Sequence, residues 1–159
     1  MLQEKRQKLR EAGLCLMVLI FADLVIFVSN VIARFFDGTF NNALNGVEDP
    51  SLVLPVQIAL IVAAVLAVAF IAAQFLIGLK AYKVSRSDSA EKGYIVGAKV
   101  FFILSVLSLI VSVVTLFDPN SNGGALNTAL SIASITLDVV IYAMVINAAE
   151  NFRKAVLAG

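Results

Sequence analysis

The sequence predicts an all-α integral membrane protein: four transmembrane helices in an antiparallel up-down bundle, with the N- and C-termini both cytoplasmic. Three observations carry that prediction. Of 159 residues, 60% are hydrophobic and 14% charged, whereas a soluble domain is roughly half apolar and a quarter charged. Four apolar runs, 14–36, 52–79, 94–117 and 125–149, each exceed the roughly 20 residues that cross about 30 Å of hydrocarbon at about 1.5 Å per residue. Eleven of the twelve Lys and Arg residues lie at one end of these runs. Basic residues concentrate on the cytoplasmic side of membrane proteins, so that end faces the cytoplasm.

Residues 1–13, MLQEKRQKLREAG, form a basic amphipathic segment at the inner surface, where charge would meet anionic lipid or simply fix topology. The first span follows at 14–36. It is longer than a signal-peptide core and no small-residue cleavage site follows it, so it is retained. The outer loop DGTFNNALNGVEDPS leads to the second span at 52–79, with Pro50 and Pro55 bracketing its entrance; proline is tolerated at a helix start because the first amides lack partners anyway. The inner loop VSRSDSAEKG is too short to fold alone. The third span is 94–117, the turn DPNSNGG follows, and the fourth is 125–149. The runs lack the strict alternation of barrel strands, so each satisfies its backbone hydrogen bonds as a helix. The whole chain is one transmembrane domain.

Lys5, Arg6, Lys8 and Arg10 precede the first span, Lys80, Lys83, Arg86, Lys92 and Lys99 flank the inner loop, and Arg153 and Lys154 follow the fourth. Only Arg34 lies at the other end. The net charge is +1, and the basic residues are accounted for by topology without a nucleic-acid partner.

The chain has no histidine and one cysteine, Cys15. This removes Ser-His-Asp and Cys-His catalysis, histidine-held zinc and haem, and an internal disulfide. No catalytic residue, cofactor or enzymatic activity is expected. The location is the plasma membrane, with the lack of Asn-x-Ser/Thr sites fitting a bacterial one.

Polar residues inside the spans are the candidate site. Asp23 and Asp138 each lie 13 residues from the outer end of their span, or about 20 Å in depth. A carboxylate at a helix centre costs about 2.5–3.5 kcal/mol on insertion scales, so such a residue is a functional candidate by default. Asp23, Asn30 and Arg34 share one face of the first span; Asn127, Ser131, Ser134, Asp138 and Tyr142 share one face of the fourth; Ser105, Ser108, Ser112 and Thr115 share one face of the third. Asp23, Asp138, Asn30, Ser105, Ser108, Ser134 and Tyr142 are the candidate substrate- or ion-binding residues, and Lys99 the candidate charge partner of an Asp. The serine stripe taken alone, and Gly93-xxx-Gly97, read more simply as helix packing.

Transport of a small solute, cation or proton through midplane carboxylates is the leading function class. Oxygen-only ligands suit hard cations, but the metal, if any, is not specified. A non-catalytic accessory or scaffold subunit of a larger membrane complex is the second class, and an oligomeric pore-former the third. The partners expected are the lipid bilayer and either further copies of the chain or a larger membrane protein.

Overall fold

The structure, a computed structural model, describes residues 2–36, 50–87, 89–116 and 125–158. Both outer loops fall outside the described residues, as do the side chains of Arg34 and Asn127. Among the described residues there are four helices and no strand: α1 (Leu2–Phe36), α2 (Pro50–Val84), α3 (Gly93–Leu116) and α4 (Ala125–Leu157). All four are long and apolar enough to cross a membrane.

The helix ends opposite the basic side match the apolar runs closely; the basic ends overshoot. α3 has 24 residues, about 36 Å, close to the hydrocarbon thickness. α1, α2 and α4 have 35, 35 and 33 residues, about 50 Å each, so each extends by roughly 20 Å beyond the hydrocarbon. The basic segment 2–13 is therefore the first three turns of α1, in one uninterrupted helix. Its apolar side is used against protein: Leu9 and Ala12 are buried. α2 begins at Pro50, which places Pro55 inside the helix rather than at its mouth.

The chain divides into two compact units. The first, Met1–Leu19 with Leu76–Gly159, holds the start of α1, the end of α2, and all of α3 and α4. Its core is built at helical spacing from each: Leu9, Ala12 and Leu16; Ile77, Ala81 and Val84; Tyr94, Ile95 and Ala98; Tyr142, Val145, Ala149 and Phe152. These i, i+3/i+4, i+7 repeats put one stripe of each helix inward. At the closest point two backbones touch. A Cβ on Gly13 of α1 would lie 2.9 Å from the Gly78 carbonyl oxygen and 3.2 Å from Ala81 Cβ on α2. Small residues permit such an approach, which lipid-immersed helices use in place of a hydrophobic drive. Of the Gly93-xxx-Gly97 pair, Gly97 packs against Ile77, while Gly93 has open space.

The second unit, Ile20–Phe75, holds the remainder of α1 and α2. Its described side chains are mostly exposed and apolar, among them Val25, Ile26, Ile61, Val65 and Leu66. That is the surface expected of helices whose solvent is hydrocarbon.

Candidate functional site

Within the first unit, two contacts fix how α3 and α4 align. The rings of Phe101 and Tyr142 stack, with centroids 5.9 Å apart and planes at 12°. Lys99 Nζ lies 2.6 Å from Glu150 Oε1. The partner's number rises on α4 as it falls on α3, so the two helices pack antiparallel, with Lys99 and Glu150 nearer the basic end.

This register has a consequence for the polar stripes. One turn from Phe101 along α3 is Ser105; one turn from Tyr142 toward the start of α4 is Asp138. The next steps pair Ser108 with Ser134, then Ser112 with Ser131. Steps of three and four keep each series on one face. The stacked rings show that these two faces belong to the α3–α4 interface. Counted from the ring stack, Ser105 stands opposite Asp138, Ser108 opposite Ser134 and Ser112 opposite Ser131; the longer Lys99 and Glu150 side chains meet across an offset of six residues from that register. Ser105, Asp138 and Ser112 are half-buried, while Ser108, Ser131 and Ser134 are exposed. Tyr142 is 1% exposed and, with Phe101, makes an aromatic floor on the basic side of the Ser105–Asp138 rung. Thr115, the last member of the α3 stripe, donates its hydroxyl to the carbonyls of Val111 and Ser112 at 3.1 and 2.9 Å. It is bonded to its own helix, the usual local use of such a hydroxyl.

Asp23 belongs to the second unit, on α1, and is half-buried; Asn30, two turns on, is exposed. The four other polar candidates that share a described unit with Asp138 are Ser105, Ser108, Ser134 and Tyr142. Lys99 pairs with Glu150. Asp138 is twelve residues from Glu150 on the same helix, about 18 Å away, so this lysine does not serve Asp138 while it holds Glu150.

Two features of the basic end escape a reading of stripes alone. A cavity of about 510 Å³ lies between the first turns of α1 and the last of α4, lined by residues that include Lys8, Glu11, Cys15, Met144, Asn147 and Asn151. Asn151 Nδ2 donates to Asn147 Oδ1 at 2.9 Å, and Lys8 pairs with Glu4 at 2.8 Å. The Asn147/Asn151 spacing of four was visible on α4; the facing segment of α1 was not. The second feature is Arg153, whose Nε is buried with no hydrogen-bond partner among the described residues. Among the described residues, no three His, Cys, Asp or Glu side chains gather as a metal site.

No protein-family model matches the chain, and neither a curated protein nor a solved structure matches it.

Proposed function

We propose that the chain is a small transporter or channel for a proton or a monovalent cation, with Asp138 as its central ionisable group. The observation that carries this reading is the Phe101–Tyr142 stack, from which the polar faces of α3 and α4 run on as a ladder with Asp138 one turn away. A mid-span carboxyl is costly in hydrocarbon, and neighbouring hydroxyls reduce that cost while offering oxygen ligands. One carboxylate with serine hydroxyls supplies few charges, which suits a proton or monovalent ion better than a calcium cage. The Phe101–Tyr142 stack would close the ladder toward the basic end, leaving the Ser112–Ser131 end for entry.

In this reading the four spans run up and down with both termini in the cytoplasm of a bacterial cell, and the basic end faces inward. Two helices do not enclose a path, so the remaining wall comes from other spans or from a second copy. Asp23, in the other unit, is the second mid-span carboxyl.

The test is flux in sealed vesicles of reconstituted protein, followed with a pH-sensitive dye and with Na⁺ or K⁺ gradients. Asp138→Asn should abolish flux while the helical circular-dichroism spectrum persists. Asp23→Asn reports whether the second carboxyl shares the work. Full flux in Asp138→Asn would remove the transport reading. A wild-type protein that moves nothing, yet leaves native membranes in fixed ratio with one larger protein, would replace it with an accessory-subunit role.

A further inference from the structure

A separate feature of the first unit points to a ligand. Where α3 begins and α4 ends, a cavity of about 310 Å³ is lined by Lys92, Lys99, Arg153 and Lys154 against one carboxylate, Glu150. That carboxylate is committed to Lys99 at 2.6 Å. The cavity therefore keeps a surplus of positive charge from Lys92, Arg153 and Lys154. Arg153 Nε is itself packed away from solvent, with no acceptor among the described residues, so the base of this guanidinium is held by its surroundings. Guanidinium and ammonium groups converging in this way match a phosphate, whose oxygens accept several charge-assisted hydrogen bonds at once.

The surface beyond the cavity narrows the choice of phosphate. Lys92 immediately precedes α3; Val96, Lys99 and Ile103 follow it on the helix at steps of four, three and four, and Ile110 and Val114 continue that line. Val96, Ile103, Ile110 and Val114 are all more than half exposed. One face thus begins cationic and continues apolar for four turns, which is the charge and polarity profile of a phospholipid: an anionic head, then a chain. A soluble phosphate has no use for the apolar part.

We propose that this cavity seats the headgroup of an anionic phospholipid from the adjoining leaflet, with an acyl chain lying along the Val96–Ile103–Ile110 line. Basic pockets between spans are a recognised way of binding such headgroups. Positive-inside topology accounts for the number of charges at this end, but not for their gathering round one cavity whose single carboxylate is already paired.

The chain has no tryptophan, so Ile103→Trp gives a single reporter on that line. The protein is reconstituted in phosphatidylcholine vesicles containing a minor fraction of brominated phosphatidylglycerol or, in parallel, brominated phosphatidylcholine. Quenching should be stronger with the brominated phosphatidylglycerol at equal fraction. Lys154→Gln, an exposed change that leaves the core untouched, should lower the preference about fivefold, and Lys92→Gln/Arg153→Gln/Lys154→Gln on the order of 100-fold. Neutralising Arg6, Arg10 and Arg86, which line a different cavity, should leave it intact. Equal quenching by the two lipids overturns the proposal. So does a preference insensitive to Lys154→Gln, one lost equally in the Arg6/Arg10/Arg86 variant, or one displaced by inorganic phosphate at matched ionic strength. The last result would mean a site for a soluble anion. If the triple variant fails to fold, Lys154→Gln alone decides.

Discussion

The carbonyl oxygen of Gly78 lies where a side chain on Gly13 would begin. The 2.9 Å separation from an ideal Gly13 Cβ is shorter than van der Waals contact allows, and the Tyr82 backbone nitrogen is only 3.0 Å away. Both obstacles are backbone, so neither can rotate aside. Gly13→Ala should therefore push α1 off α2 and cost about 1–3 kcal/mol, as overpacking does. Gly78→Ala should cost somewhat less: its nearest obstacle at 2.9 Å is Cγ of the Met17 side chain, and the nearest backbone atom, the Gly13 carbonyl oxygen, stands at 3.1 Å. Gly93→Ala meets nothing within 4 Å and should be neutral or stabilising by up to about 1 kcal/mol through reduced chain entropy. Thermal unfolding in one detergent ranks the three. Gly13→Ala as mild as Gly93→Ala would refute the close crossing.

What the chain reveals before any coordinates follows from what is local. Length and apolarity of the runs give four helices, because a span is a property of about twenty consecutive residues. The stripes on the third and fourth spans are local too, fixed by 100° per residue. Their alignment is not: which residue of α4 faces Ser105 depends on the offset between two helices, which the Phe101–Tyr142 stack reports. The choice made by Lys99 is equally non-local, since several carboxylates are near enough in sequence and only packing selects Glu150. The Gly13–Gly78 crossing joins residues at opposite ends of a hairpin, and neither stands in a small-xxx-small pair with the other. The overshoot of α1, α2 and α4 past the hydrocarbon was hidden because charged residues end an apolar run without ending a helix.

The Lys99–Glu150 pair should matter little for stability despite its 2.6 Å length. Both side chains are about half exposed, at 51% and 40%, and an ion pair so open to solvent or headgroups gains little over its separated partners. Lys99→Met and Glu150→Gln, singly and together, should leave the thermal midpoint within measurement error. In the lipid-quenching assay Glu150→Gln should raise the preference for phosphatidylglycerol, because it frees Lys99 in the same cavity. A large loss of stability in both single variants that disappears in the double variant would show a tightly coupled pair instead.

Tyr142 should be needed for packing and, in the transport reading, for closure. It is 1% exposed and its ring stacks on Phe101. Tyr142→Ala should destabilise the protein by about 3 kcal/mol, through lost contacts and the cavity left behind. Tyr142→Phe keeps the stack and should retain most of the stability. If the ring pair seals the ladder, vesicles carrying the folded Tyr142→Ala protein should leak protons without a driving substrate, and Tyr142→Phe vesicles should not. Tight vesicles from both variants would show that the seal lies elsewhere.

The polar ladder makes a register prediction that can be read without any assay of transport. Ser108 and Ser134 are exposed and, counted from the Phe101–Tyr142 stack, stand opposite each other, on helices whose axes pack about 8–10 Å apart. With Cys15 replaced by Ser, the double variant Ser108→Cys/Ser134→Cys should be joined by a thiol cross-linker of about that reach. Ser105→Cys/Ser131→Cys uses the same two faces but is offset by seven residues, about 10 Å along the axes, so the straight-line gap exceeds the reach and cross-linking should be several-fold slower. Single-cysteine variants run alongside expose links between copies of the chain. Equal rates for the two pairs would mean that α3 and α4 slide or sit in another register. Asp138 would then lose its serine neighbours across the seam, and with them the reason to place an ion there.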